Sequence, residues 1–398
     1  MLLPFDIINH IFEIVAINDY ETGGQPSLAS CSRVSHALHD LTAAHLYRHI
    51  HTNNACNTLL KRRDLAKLVQ SADFELHEAG LGLCELFDGG EEMDRPTSMM
   101  QPQPKMLRGL GLDNDVVVDI RAGDGRALVT AALRVLPNLR TLKLTINDPL
   151  DQYAGLLEPS LLASLPHLTT VQLNLGKGVL NDLTIAFHAF AIPTIHTLAL
   201  TGLAEGTMPD PISSLWNIIS TVEHLVINTT GGRNTVNNWL RLPTRLVSFT
   251  SDVSIMPSSP PFPELNRFRD TLKSLVLTDS HHRHIHGVHI EHLVDFTTLA
   301  HIDLPPYVLL KDTQEARSVP LVDRLPTSLR SVSFNLQNKA NWHWPMDLNV
   351  FVAQLVKLVE SRPLHTLILR GGLKNGKDMH KQLRAACERA GVEVNWIV

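Results

Sequence analysis

The sequence predicts an α/β protein: a short N-terminal helical module, then a solenoid of strand-and-helix repeats built on a parallel sheet. Three observations predict it. An LxxLxL pattern returns at near-regular spacing, most copies follow a turn that often carries proline, and the intervening segments place apolar residues at helical period.

The copies are Leu139-Leu142-Leu144, Leu168-Val171-Leu173, Ile195-Leu198-Leu200, Val222-Leu225-Ile227, Leu272-Leu275-Leu277, Leu299-Ile302-Leu304, Leu329-Val332-Phe334 and Leu364-Leu367-Leu369. A degenerate copy, Leu246 with Phe249, falls between the fourth and fifth. The middle positions 142, 171, 198, 225, 249, 275, 302, 332 and 367 are 29, 27, 27, 24, 26, 27, 30 and 35 residues apart, a regularity that marks stacked units. Prolines at 137, 166, 193, 243, 326 and 363 stand just before copies, where they end a helix and deliver the chain to an extended segment.

Helices are expected in GDGRALVTAALRVL from residue 124 and in DLNVFVAQLVKLVES, where apolar residues recur at helical period. One helix–turn–strand unit cannot bury its own apolar face, whereas stacked neighbours can, which gives a parallel-stranded solenoid over residues 51–398. The final GVEVNWIV reads as a closing strand without a following helix. Residues 88–113, rich in acidic residues, Pro, Gly and Met, read as a mobile loop, and 256–264 and the stretch around 305–326 read as proline-rich loops.

On the LxxLxL copies the chain resembles the leucine-rich-repeat superfamily in its irregular form, from about residue 70 or 139 onward. That family's full pattern places Asn or Cys three residues after the last leucine, and here Asn147 alone fits it cleanly.

The first fifty residues have a different pattern. After Leu3-Pro4, the segment LPFDIINHIFEIV sets Ile7, Ile8, Ile11, Phe12, Ile14 and Val15 at helical spacing, with proline near the helix start where its missing N–H is harmless. Past NDYETGGQP, a second run puts Leu28, Cys31, Val34, Leu38, Leu41 and Leu46 on one face, with Ser27 as a plausible N-cap. Two readings are open: a cap that shields the first repeat, or a docking module. At Leu3-Pro4, the Ile7-Ile8-Ile11-Phe12 ridge, Cys31-Ser32-Arg33-Val34-Ser35 and Leu46-Tyr47-Arg48-His49-Ile50, residues 1–50 resemble the F-box family, and with the following repeats they look particularly like its divergent fungal receptors. The family often has Trp where Leu38 stands.

The resemblance implies docking on a Skp-type adaptor, and through it on a cullin and a RING ubiquitin ligase, with Leu3, Pro4, Ile7, Ile8, Ile11, Phe12, Leu28, Val34 and Leu38 as the adaptor-binding residues. Some of these must instead form the module's own core. The repeats would then present a protein substrate, and the chain itself would do no chemistry. The rival expectation is a leucine-rich-repeat scaffold without a ligase role.

Composition limits other functions. The apolar fraction of 44% against 19% charged is that of a folded chain, and a formal charge of −5 with no basic run longer than Lys61-Arg62-Arg63 argues against nucleic acid as a partner. No stretch reaches the ~18 apolar residues of a membrane span, and the N-terminus lacks a basic n-region, so neither membrane nor export is expected. Cys31, Cys56, Cys84 and Cys387 are too scattered for a CxxC site or a disulfide scaffold, which fits the cytoplasm or nucleus.

No metal or cofactor is expected. The cluster His281, His282, His284, His286, His289 and His292 reads as a solvated loop because no Cys or carboxylate pair completes a ligand set. Gly123-Asp124-Gly125 and Gly231-Gly232-Arg233 complete no phosphate-binding motif and read as turns. No GxSxG elbow or matched acid–base pair supports catalysis.

Binding residues are expected among the alternate strand positions that face away from the leucines. From these, Thr141, Lys143, Gln172, Asn174, His224, Asn228, His301, Asp303 and Arg370 are the candidate substrate contacts. The same neutral polar surface would also serve simply to solubilise the strands.

Overall fold

The structure is a computed structural model that describes residues 42–43, 45–50, 54–76, 117–120, 124–147, 161, 164–176, 184–203, 219–229, 233–252, 262–278, 293–310, 313–336, 347–371 and 377–397. Packing divides the chain into two compact units, Met1–Ile195 and His196–Val398.

The first unit contains β1 (His49–Ile50), α1 (Asn54–Lys61), α2 (Arg63–Ala66), β2 (Ser71–Leu76), α3 (Gly125–Leu133), β3 (Thr141–Ile146), β4 (Thr170–Leu175) and α4 (Thr184–Ala191). Its strands lie side by side in chain order and are all parallel. The register is unbroken: Ala72, Leu142 and Val171 stand in one row, and Phe74, Leu144 and Leu173 in the next. Both rows are fully buried, so the two inner leucines of each copy face the core. A parallel pair needs a crossover to return the chain, and α3 packs against α1 and β2 as part of that layer.

The second unit holds β5 (Thr197–Leu203), β6 (His224–Thr229), α5 (Arg233–Leu240), β7 (Ser248–Asp252), β8 (Ser274–Thr278), β9 (His301–Leu304), α6 (Thr313–Ser318), α7 (Leu321–Arg324), β10 (Ser331–Asn335), α8 (Leu348–Ser361), β11 (Thr366–Arg370), α9 (Lys377–Ala390) and β12 (Glu393–Ile397). These strands too are parallel neighbours in chain order, forming an open sheet. One inner row runs Leu198, Leu225, Phe249, Leu275, Ile302, Val332 and Leu367, all buried. Gly202, at φ 76, marks the place where β5 slips register against β6, a backbone that suits glycine.

One device starts nine of the strands. The carbonyls of Arg48, Gln70 and Arg140 in the first unit, and of His196, Glu223, Val247, Lys273, Ala300 and Arg330 in the second, each accept two successive backbone N–H groups from the next repeat. Beside this backbone device runs a ladder of hydroxyls. Thr271 Oγ1 donates to Leu246 O (2.9 Å), Thr298 Oγ1 to Leu272 O (3.0 Å) and Ser328 Oγ to Leu299 O (2.8 Å). In each case the residue before a repeat's first leucine ties to the first leucine of the previous repeat. These hydroxyls fasten consecutive repeats just before their strands.

The helices expected around residue 124 and at 347–361 are α3 and α8. Asp347 caps α8, its Oδ1 accepting from Asn349 N at 2.9 Å, and Phe351, Leu355 and Leu358 turn inward. Phe351 meets Phe334 of β10 edge-to-face at 5.5 Å. Gln354 is buried in α8 and its Oε1 accepts the Leu321 N–H at 2.8 Å, satisfying an orphan donor at the start of α7.

Three points differ from the sequence expectation. The sheet begins at β1, inside the segment expected as the N-terminal module, and β2 starts at Ser71, near the lower of the two expected starts, where Val69, Ala72 and Phe74 form a degenerate copy that a leucine pattern passes over. The stretch 305–326, expected as a loop, carries a 3-10 turn (Pro306–Val308), α6 and α7, because Val308, Leu309, Leu310, Leu321 and Leu325 are all buried and so require ordered backbone. Part of 256–264 is likewise ordered, since Phe262 is buried, packs edge-on against Phe249 at 5.3 Å and leads into a 3-10 turn (Pro263–Phe268). The expected mobile loop at 88–113 lies outside the described residues.

Asn147 and Gly176 occupy equivalent places three residues after the last core leucine of consecutive repeats. A Cβ on Gly176 would sit 2.9 Å from Asn147 Cα, and Gly176 N donates to Ile146 O at 2.7 Å, so the close approach requires glycine.

Thr298→Val is expected to lower unfolding free energy by about 1 kcal/mol, since the ladder bond is partly buried, whereas Leu275→Ala should cost ~2–5 kcal/mol for a core cavity. Denaturant titration of both variants checks the ranking. A Thr298→Val protein as stable as wild type would remove the ladder from the account.

Candidate functional site

The alternate positions face away from the core in rows fixed by the strand register. In the first unit these rows are Ser71, Thr141, Thr170; Asp73, Lys143, Gln172; and Glu75, Thr145, Asn174. Their side chains are tied to one another: Lys143 Nζ lies 2.7 Å from Asp73 Oδ2, Asn174 Nδ2 donates to Thr145 Oγ1 at 3.3 Å, and Asn147 Nδ2 donates to Glu75 Oε1 at 3.1 Å. The Lys143–Asp73 pair is partly exposed, so it is worth at most about 1 kcal/mol. Asp73 and Glu75 were not among the sequence candidates, because β2 carries Ala72 in place of a leucine.

In the second unit one outward row reads Thr197, His224, Ser248, Ser274, His301, Ser331 and Thr366. Five hydroxyls and two imidazoles thus cross seven strands. The neighbouring row reads Ala199, Val226, Thr250, Val276, Asp303, Ser333 and Ile368, which is more apolar. His224 and Asn228 on β6 are exposed.

The alternation of buried and half-exposed positions holds along β8 and β11 and fails on β7, which ends in the buried Asp252, and on β9 and β10. Asp303 is only 7% exposed and Ser333 is fully buried, although both stand in the outward row. That corrects the expectation of a uniformly exposed polar face. The physical reason for Asp303 lies on β11, from which Arg370 Nη1 reaches Asp303 Oδ2 at 2.9 Å, an ion pair that spans β10. A buried carboxylate requires such a partner. His301, two residues from Asp303 on the same face, has its pKa pushed below the ordinary histidine value, first by burial and also by the Arg370 cation, with Asp303 opposing.

The structure therefore brings His301, Asp303 and Arg370 together, and sets Lys143, Gln172 and Asn174 on neighbouring outward rows in the first unit with Thr141. The adaptor-binding candidates Leu3, Pro4, Ile7, Ile8, Ile11, Phe12, Leu28, Val34 and Leu38, and the histidines from 281 to 292, lie outside the described residues. Asp124 and Gly125 form the start of α3, with Leu128 N donating to Asp124 O. Among the described residues no group of three or more His, Cys, Asp or Glu could hold a metal ion. Among them, too, no helix is long and apolar enough to cross a membrane. The Cys56 thiol is pushed up to about 12 by burial, which keeps it protonated and unreactive. Among the described residues the outward positions carry hydroxyls, imidazoles, amides, the carboxylates of Asp73, Glu75, Asp252 and Asp303, and the cations of Lys143 and Arg370.

No protein-family model and no curated protein matches the sequence.

His301 gives the face a pH dependence of definite sign. Its folded pKa is depressed, so on acidification below about 6.5 the unfolded chain takes up the proton first and stability falls. His301→Gln should flatten the loss of melting temperature between about pH 6.5 and 5 relative to wild type. A melting-temperature difference that stays constant across that window would show that His301 titrates normally.

Proposed function

We propose that this chain is a non-catalytic substrate receptor of a cullin-RING ubiquitin ligase of the Skp-adaptor type. The N-terminal segment docks on the adaptor and the strand repeats hold a protein substrate. The observation that carries the reading is the order of two features: an F-box-like N-terminal sequence, then a stack of parallel strand repeats whose outward face is neutral and polar. The stack supports the reading because in each unit it presents many in-register side chains on an outward face, as a protein partner requires. Among the described residues that face carries no basic stripe.

On this reading ubiquitin transfer is promoted by proximity, with the chemistry on other subunits. Adaptor docking would bury the Ile7-Ile8-Ile11-Phe12 ridge in a groove, at about 1.5–3 kcal/mol per fully buried aliphatic side chain before ordering costs. A cytoplasmic or nuclear location follows from the same proposal. The rival is a repeat scaffold whose N-terminal helices are only a cap.

Co-purification with a Skp-type adaptor separates the two. The intact chain should bind stoichiometrically, and Pro4→Ala with Ile8→Asp, or deletion of residues 1–40, should abolish binding while the repeats stay folded by circular dichroism. The deletion stops short of His49 because β1 pairs with β2. A well-folded intact chain that binds no adaptor would leave the scaffold reading in its place.

A further inference from the structure

We propose that the end of the first unit at which β2 and β3 start is a docking strip for a short acidic stretch of a protein partner, held by Lys61, Lys67 and Arg140. The inference is independent of the receptor reading, because it needs neither the adaptor nor the outward strand face.

Topology gathers the charge. A chain that rises through parallel strands and returns through helices brings helix ends and strand starts to the same end of the sheet. Here α1 finishes at Lys61, Arg62 and Arg63 lead through α2 to Lys67, and β2 begins at Ser71. Likewise α3 finishes at Leu133, and Arg134 and Arg140 lie in the turn before β3. Hydrogen bonds draw these turns together: Asn138 Nδ2 donates to Lys67 O at 2.7 Å, Arg140 N to Gln70 O at 2.8 Å, and Arg48 Nε to Gln70 Oε1 at 3.2 Å. Those seven cations share this end with one described acid, Asp64, which Arg62 already grips with two bonds of 3.0 and 2.7 Å. Asp73, two residues into β2, is held by Lys143.

The second unit shows the contrast. In its turns Arg245 Nη1 lies 2.7 Å from Glu223 Oε1, Arg241 Nε 3.0 Å from Glu264 Oε1, and Arg269 Nε 3.6 Å from Asp270 Oδ2. Lys61, Lys67 and Arg140 are exposed and have no acidic partner among the described residues. Helix C-terminal carbonyls attract cations, which accounts for Lys61 at the end of α1 and Arg134 just after α3. It does not account for Arg140, well past α3, or for Lys67, which follows only the single turn of α2. Like charges gathered without counter-charges raise the local potential, and an incoming anion gains from it.

The form of the partner follows from the same features. Helices end here and do not begin, so the backbone offers carbonyls where a compact phosphate would need N–H groups. The strip crosses the starts of β1, β2 and β3, about 10 Å at the usual strand spacing, which suits a few residues of extended chain. A duplex nucleic acid draws its affinity from about six to ten phosphates, more than this length presents. None of the exposed large apolar side chains among the described residues lies on the strip, so it has no wedge for a bilayer. Carboxylates spaced along a protein segment match cations that stand on separate turns.

The rival explanation is a set of cations that only solvate the turns and offset the helix ends. Fluorescence anisotropy on the intact chain separates the two, with a peptide of about ten residues alternating Glu and Ser, its Gln counterpart, and a duplex DNA of about 20 base pairs as probes. Wild type should bind the Glu peptide saturably and the Gln peptide not at all, and raised salt should weaken the binding. Lys61→Gln with Lys67→Gln and Arg140→Gln should weaken it about tenfold, the sum of three modest exposed ion pairs. The double variant Lys67→Gln with Arg140→Gln, which leaves the end of α1 untouched, should show most of that loss. Arg241→Gln with Arg245→Gln, in the second unit, should bind as wild type does. Melting curves confirm that each variant is folded.

A wild-type chain that binds the Glu peptide no better than the Gln peptide would overturn the proposal. So would a triple variant that binds as wild type, or an equal loss in the second-unit variant. Tighter binding of the duplex than of the Glu peptide would overturn the assignment of a protein segment.

Discussion

A parallel strand reaches its neighbour only by way of a return connection, and that connection must bring the chain back at one height, or the inner and outer faces exchange. In both units the height is set, at nine of the strand starts, by a single backbone carbonyl that takes two successive N–H groups from the next repeat. The rest follows from that. Once the register is fixed, Leu142 stands over Val171, and Leu275 over Ile302 and Val332, so a continuous apolar row forms from residues contributed one per repeat. Each buried leucine is worth about 1.5–3 kcal/mol, and none has that burial until its neighbour repeat is in place. The hydroxyl ladder of Thr271, Thr298 and Ser328 fastens the same turns from the side.

The constraint also explains where the face departs from its pattern. Outward positions owe nothing to the core and could be any residue that tolerates a strand, and about half are Thr, Ser or His. Asp303 and Ser333 are outward by register and yet buried, which costs free energy unless something holds them. Arg370 supplies the hold for Asp303. On the opposite side of the sheet the compensations are structural. Gln354 serves the start of α7, and Phe262 packs against Phe249 beside the weak Leu246 copy, even though its backbone lies at φ 58, a strained value for a bulky residue.

The LxxLxL spacing made the sheet legible, because two apolar residues at period two followed by a turn at near-constant distance leave little alternative to stacked strands. It also located α3 and α8, whose apolar periodicity is strong. It missed β1 and β2, since Ala72 and Ile50 fill leucine positions and 70 residues separate β2 from β3 in register. It misjudged 305–326, where prolines suggested a loop and buried leucines decided otherwise. For the face, alternation alone picked out His301, Asp303 and Arg370 as outward, but their assembly was not readable. Register within a strand follows from local pattern, whereas the meeting of Arg370 with Asp303 depends on a side chain crossing β10, which no local spacing encodes.

Disulfide trapping tests the register directly. Ser274 and His301 are in-register neighbours on β8 and β9, so their Cα atoms lie at the ~5 Å spacing that a disulfide accommodates. Ser274→Cys with His301→Cys should cross-link rapidly on mild oxidation, while Ser274→Cys with Ile302→Cys, whose second side chain faces the core, should not, as read by peptide mass mapping. Cross-linking of the second pair in preference to the first would place β8 and β9 one residue out of register, and the common apolar row on which the account rests would not exist.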